Sequence, residues 1–315
     1  MCGIVGYVGG ERTVEFLLSG LQRLEYRGYD SAGLATVEVD GQLQLCRAVG
    51  RIANLAESVE SRRWQGRTGI GHTRWATHGA ATVENAHPHV GGRERVAVVH
   101  NGVIENYESL KGQLLARGYR FRSATDTETI AHLIADCLAN LAAQASPLSG
   151  PQLYVEAVRQ AVAQLRGTYG LVVMFADLPE CLIAARCGSP LVLGIGEREQ
   201  FIASDTSALA GYTDRIIYLA DHQIAVVGAQ GIQVLHRDQG RIRPEVRVLE
   251  PHSSSVSADG FPHFMLKEIH EQPTALRNAL RGRIDRDNAT AKFGGLNLTS
   301  QQLRGIDRLL LTACG

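Results

Sequence analysis

Residues 2–24 read CGIVGYVGGERTVEFLLSGLQRL. The run from Ile4 to Val8 is short and apolar, as a buried strand is. After the Gly9–Gly10 break, Val14, Leu17, Leu18, Leu21 and Leu24 recur at helical spacing, so a strand leads into an amphipathic helix. Outward from there, Leu34 to Val49 alternates around Asp40–Gly41, a pair suited to a two-residue hairpin, and predicts two antiparallel strands. Ile70 to Thr77 and Val96 to His100 predict further strands, Tyr107 to Arg117 a helix stopped by Gly118, and Asp126 to Leu138 a helix with an Asp- and Thr-rich start. Leu153, Ala157, Val158, Ala161, Val162 and Leu165 trace another helix, with Gly167 just past its end. Short strands follow at Tyr169–Ala176, Cys181–Arg186, Leu191–Ile195, Phe201–Ser204, Ile216–Leu219, Gln223–Val227 and Ile232–His236. Helices and antiparallel strands without a βαβ rhythm imply an α+β fold in which two packed sheets are covered by helices.

This pattern closes a first domain over residues 2–240, with a linker at 241–260 that ends in the Ser-, Pro- and Gly-rich PHSSSVSADG. Residues 261–315 open with the amphipathic FMLKEIHEQPTALRNAL and close with RLLLTACG, which reads as a buried strand entering a loop. About 55 residues are fewer than the ~100 of an ordinary domain, so only the first part of a second domain is expected there.

The chain has 315 residues, 44% of them hydrophobic and 20% charged, which excludes disorder as its main state. Its 32 Lys plus Arg balance 32 Asp plus Glu, leaving no broad basic field for nucleic acid or an anionic membrane surface. The apolar stretch at the N-terminus is too short to span a bilayer and no basic region precedes it, so the chain is expected not to be exported. Six cysteines, at positions 2, 46, 137, 181, 187 and 314, form no CxxC pair, and a reduced, cytoplasmic setting follows.

Four stretches can carry chemistry. Cys2 follows the initiator Met, and removal of Met1 would leave a thiol and a free α-amine on one residue, a nucleophile with its own base. As a small apolar residue it can also simply open a buried strand. Asn101–Gly102 is a strong hairpin signal, yet an Asn amide beside a glycine N–H can also supply two donors to an oxyanion. TRWATHG, residues 73–79, gathers Arg74, Trp75, Thr77 and His78 in one strand and turn, Arg74 being a natural fork for a carboxylate. Asp126 can meet an ammonium or cap its helix. An α-amino acid presents both of those charges together.

Two other signals point nowhere. His72, His78, His87, His89 and His100 cluster in sequence but lack HExxH or a cysteine pair, so no metal or other cofactor site is read. Gly28 and Gly33 have phosphate-loop spacing, but Leu34 and Ala35 stand where Lys and Ser or Thr are required.

Taken in order, CGIVGYVG (2–9), LEYRGYDSAGLA (24–35), HTRWATHG (72–79), NAHPH (85–89), VVHNGVIEN (98–106), TDTE (125–128), QLRGTYG (164–170), ARCGSPLVLG (185–194), FIASD (201–205) and FMLKEIHEQP (264–273) resemble the N-terminal-nucleophile glutamine amidotransferases. YRGYDSAG and KEIHEQP point to the branch that aminates a sugar phosphate. The resemblance implies a four-layer αββα sandwich followed by the opening elements of a sugar isomerase domain. It makes Cys2 the nucleophile, its freed α-amine the base, and Asn101 with Gly102 the oxyanion hole. Arg74, Thr77, His78 and Asp126 would hold glutamine, Trp75 would lie in a loop closing over it, and Arg27, Asp30 and His87 would support the pocket. In a full-length, homodimeric enzyme of this kind, ammonia passes to fructose 6-phosphate on the second domain. The expectation for this chain is glutamate and ammonia, without amino sugar. Two other readings stand beside it: a non-catalytic glutamine sensor, and a sibling amidotransferase with another ammonia acceptor.

Overall fold

A computed structural model describes residues 2–10, 12–75, 79–144, 147–249, 260–280, 284–285, 290–291, 300–308 and 310. The chain divides into two units, Met1–Ser253 and Ser254–Gly315. In the first, β1 (Gly3–Val8) leads into α1 (Thr13–Leu24), followed by β2 (Ser31–Val37), β3 (Leu43–Val49), α2 (Ile52–Glu60), β4 (Thr68–Arg74), β5 (His89–Gly91) and β6 (Val96–Ile104). Three helices come next, α3 (Tyr107–Ala116), α4 (Asp126–Ala143) and α5 (Pro151–Val162). The strands β7 (Gly167–Phe175), β8 (Cys181–Cys187), β9 (Val192–Ile195), β10 (Gln200–Ala203), β11 (Arg215–Tyr218), β12 (Gln223–Gly228), β13 (Gly231–His236), β14 (Gly240–Ile242) and β15 (Arg247–Val248) complete the unit.

Among the described residues these strands form two antiparallel sheets, ordered β15-β11-β9-β10-β1-β4-β2-β3 and β14-β13-β12-β8-β7-β6-β5. Period-two alternation decides which layer each side chain joins. On β1, Ile4 and Val8 enter the core between the sheets, whereas Val5 and Tyr7 face α1. On β6, Ala97 and Val99 enter that same core, while Val96, Val98 and Ile104 pack with the face of α4 that carries Ile130, Leu133 and Ile134. Phe16, Leu17, Leu21 and Leu24 of α1 cover the outer face of the first sheet together with Ile52, Leu55 and Val59 of α2. The result is helix, sheet, sheet, helix, the αββα sandwich.

The structure departs from the sequence reading at three places. Asn101–Gly102 makes no turn: β6 continues through both residues, pairing Asn101 with Gly170 and Gly102 with Tyr169. Nine consecutive pairs with β7 outweigh a local turn preference, and Gly102 takes φ +133° inside the strand. The strand expected to reach Thr77 ends at Arg74. The first unit also runs past residue 240, because β14 pairs with β13 and β15 with β11, so residues 240–248 include strand where a linker is read from composition. In the second unit, α6 (Phe264–Leu280) contains Pro273, β16 (Ile284–Asp285) pairs with β17 (Thr290–Ala291), and α7 spans Ser300–Arg304. No helix among the described residues is long and apolar enough to cross a membrane.

The inter-sheet core should respond as a close-packed interior. Leu182 on β8 is fully buried there, and Leu182→Ala is expected to lower stability by about 2–5 kcal/mol in urea titration.

Candidate active site

The register of β1 with β4, Gly3 opposite Thr73, brings Cys2 alongside the end of β4. Its sulfur accepts the Trp75 backbone N–H at 3.2 Å and lies 3.6 Å from the Trp75 carbonyl oxygen. Burial pushes the thiol above its ordinary value, and the Trp75 N–H and the Arg74 guanidinium offset part of that rise. A thiol held in this way is protonated at neutral pH and needs a base before it can attack.

Asn101 reaches Cys2 from the second sheet. Its Nδ2 donates to the Cys2 carbonyl oxygen at 3.0 Å, and its Oδ1 lies 3.1 Å from Nε2 of His72. Gly102 follows directly, and a Cβ there would stand 2.1 Å from the Thr168 carbonyl oxygen, so only glycine allows the strands this approach. Cys2, Arg74, Trp75, His87, Gly102 and Asp126 line one cleft, joined by His100, Thr125 and Thr127.

Arg74 is buried at the end of β4, where Nη1 donates to the Ala80 carbonyl at 3.2 Å and Nη2 to the Gly79 carbonyl at 3.1 Å. Desolvation lowers its affinity for a proton, while Cys2, Asp30 and Asp126 act the other way. Asp126 opens α4, but Thr125 is the capping residue. Its carboxylate instead accepts the Ile104 backbone N–H at 2.9 Å, tying α4 to the end of β6. Trp75 is 45% exposed and meets Tyr29 edge-on, with ring centroids 5.6 Å apart.

The supporting residues divide. His87 is buried in the cleft wall and stacks on His72 at 4.0 Å. Asp30 sits behind the cleft, its backbone N–H donating to the Arg74 carbonyl at 3.1 Å. Arg27 pairs with Asp205 and packs over Tyr26. Thr77 and His78 lie outside the described residues.

His72, His100, Thr125 and Thr127 were not singled out for the site from sequence. The spacing of His72 and Arg74, two apart on one strand, carried a usable signal, since alternate residues share a face. Four of the clustered histidines are spent on protein partners. His89 Nε2 meets Thr125 Oγ1 at 3.0 Å and His100 Nδ1 meets Thr127 Oγ1 at 3.1 Å. His87 Nδ1 faces the His100 N–H at 3.4 Å. Burial holds His72 and His89 at about 3 and lowers His87 and His100 as well, so all four are neutral near pH 7. Among the described residues, no three His, Cys, Asp or Glu side chains are grouped to hold a metal ion.

A cysteine at the head of a central strand, met by an asparagine amide from the facing sheet of an αββα sandwich, defines the N-terminal-nucleophile class of amidotransferases. The glutamine amidotransferase domain family matches residues 72–211 of the chain. Curated relatives carry the name glutamine–fructose-6-phosphate aminotransferase (isomerizing). The protein so named from Thermosynechococcus vestitus is 46% identical over all of this chain and 50% of its own length. A counterpart from Thermus thermophilus is 44% identical over all of this chain and 49% of its own length. The chain therefore spans about half the length of the curated relatives it matches. Among solved structures, a glutamine phosphoribosylpyrophosphate amidotransferase from B. subtilis, complexed with ADP and GMP, superposes with a TM-score of 0.62 at 25% identity, over 77% of this chain and 50% of that one.

Glu128 fixes the segment that precedes α4. Burial alone would raise its carboxyl, but the His132 imidazole 3.7 Å away and hydrogen bonds from the Arg122 and Ser123 backbone N–H groups bring it down to about 2. A depressed folded-state value means stability that is present above about 4.5 and lost as pH falls toward 2. Glu128→Gln is expected to cost about 1–2 kcal/mol at pH 7. The gap to wild type should close between about pH 4.5 and 2 in denaturant titrations.

Proposed function

We propose that this chain hydrolyses the side-chain amide of glutamine through a thioester on Cys2. The carrying observation is that Cys2 and Asn101 meet from two different sheets, the Asn101 amide donating to the Cys2 carbonyl oxygen, beside a cleft that Cys2 shares with Arg74 and Asp126. Removal of Met1 leaves Cys2 with a free α-amine, which takes the thiol proton that burial otherwise retains. The sulfur attacks the carboxamide carbon, and the Asn101 Nδ2–H with the Gly102 N–H stabilises the oxyanion. Collapse breaks the C–N bond, the α-ammonium returns its proton to the departing nitrogen, and ammonia leaves. Water then attacks the thioester, releasing glutamate and restoring the thiol.

Arg74 takes the substrate carboxylate and Asp126 its ammonium, with Thr77 and His78 completing the pocket. Trp75 belongs to the segment that closes over the ligand. In the whole protein the ammonia is delivered to fructose 6-phosphate, as the names of the curated relatives suggest. A reactive thiol of this kind suits a reducing cytoplasm, and Cys2, Cys46, Cys137, Cys181 and Cys187 are all free.

Intact-mass spectrometry before and after an electrophilic glutamine analogue tests both N-terminal processing and the nucleophile. The expected result is a chain lacking Met1 that gains one label, on Cys2 and on no other thiol. Active protein that retains Met1 would overturn the mechanism. Cys2→Ala is expected to reduce glutamate release by roughly a thousandfold or more; undiminished turnover would remove Cys2 from the reaction.

A further inference from the structure

The oxyanion donor on Asn101 works only if its carboxamide is turned the right way round. The two ends of that group have the same shape, and only hydrogen bonding tells them apart. His72 lies on β4 opposite Ile4 and Gly33 and is completely buried. Its Nε2 faces two oxygens, the His100 carbonyl at 3.1 Å and Asn101 Oδ1 at 3.1 Å. Neither oxygen carries a proton, so Nε2 must carry one. Nδ1 of the same ring is buried with no hydrogen-bond partner. The ring stacks on His87 with centroids 4.0 Å apart and planes 26° apart, which fixes its plane.

We propose that His72 is a positioning residue for the amide-cleaving reaction: its Nε2–H grips Asn101 Oδ1 and so turns the Asn101 NH2 toward the Cys2 carbonyl and the cleft. This inference rests on the glutaminase reading above. The reversed carboxamide would set Oδ1 against the Cys2 carbonyl oxygen and the NH2 against the His72 N–H, two repulsive contacts in place of two hydrogen bonds. The same Nε2–H touches the His100 carbonyl, so the backbone one residue before Asn101 is held by the donor that orients its side chain. His72 contacts no reacting atom in this scheme and acts only through Asn101. Burial lowers the imidazole to about 3, so the ring is neutral at working pH, and the two oxygens facing Nε2 place its one proton there.

The test is glutamate release by wild type, His72→Phe, His72→Gln, Asn101→Ala and the His72→Phe/Asn101→Ala double variant. Phenylalanine keeps a ring against His87 and removes the donor, and kcat should fall roughly 10- to 100-fold with KM for glutamine little changed, less than the about 10²–10³ expected when an oxyanion donor is deleted. Glutamine at position 72 restores an N–H near Nε2 and should recover most of that loss. The double variant should be no slower than Asn101→Ala alone. Alkylation of Cys2 by iodoacetamide, which passes through no oxyanion, should proceed at the same rate in wild type and His72→Phe, whereas a general disturbance of the site would change it.

A His72→Phe protein with kcat within twofold of wild type, or a loss that multiplies with that of Asn101→Ala, overturns the proposal. Independently of any variant, the histidine nitrogen NMR spectrum of the wild type should show His72 as the neutral Nε2–H tautomer from pH 5 to 9, and an Nδ1–H tautomer overturns it equally. A wild type that releases no glutamate refutes the glutaminase reading itself, an outcome distinct from an active wild type with an indifferent His72.

Discussion

The bond from Asn101 Nδ2 to the Cys2 carbonyl joins the two sheets beside the cleft that Cys2, Arg74 and Asp126 line. Cys2 immediately precedes the central strand β1 of one sheet, and Asn101 lies in the long strand β6 of the other. Neither residue alone makes a site. Their meeting depends on how far apart the sheets stand, which the apolar core between them sets through Ile4, Val99, Val172 and Leu182. Packing density and the geometry of the cleft are therefore one requirement: a thicker sandwich would break the bond between the Asn101 amide and the Cys2 carbonyl.

Around that junction the protein buries polarity instead of avoiding it. Four imidazoles, the Thr125 and Thr127 hydroxyls and the Asp126 carboxylate are held by mutual hydrogen bonds and by Ile104 and Thr168 of the flanking strands. Such a network is worth its desolvation only if nearly every atom is paired. The exceptions are few, Nδ1 of His72 among them. Kept neutral, the histidines put no competing charge beside the thiol, and Arg74 and Asp126 remain the charged groups of the cleft wall.

Much of this was legible in the chain. Alternation and helical spacing located β1, α1, the β2–β3 hairpin, α4 and α5, because burial on one face leaves a period that survives without coordinates. Cys2, Asn101, Gly102, Arg74 and Asp126 were singled out, and they do converge. Local rules failed where pairing partners decide the outcome. Asn-Gly is a turn signal only when no strand claims it, and β7 claims it here. Composition also does not mark the two short strands within residues 240–248, which are recruited by the edges of existing sheets. His72, read only as one of a histidine cluster, and the two threonines, quoted only within TDTE, were given no place in the site because they hold other residues, and that relation exists only in three dimensions.

Gly33 and Gly28 imitated a phosphate loop in sequence and turn out to serve close approach. A Cβ on Gly33 would stand 2.2 Å from the His87 carbonyl oxygen, and one on Gly28 would stand 2.8 Å from the Arg74 carbonyl carbon. Main chain thus rests directly on main chain beneath the cleft, with no side chain between to act as a cushion. Any library that diversifies this pocket inherits two immovable positions, and variation has to be sought in the residues that face the ligand instead of in the floor that carries them.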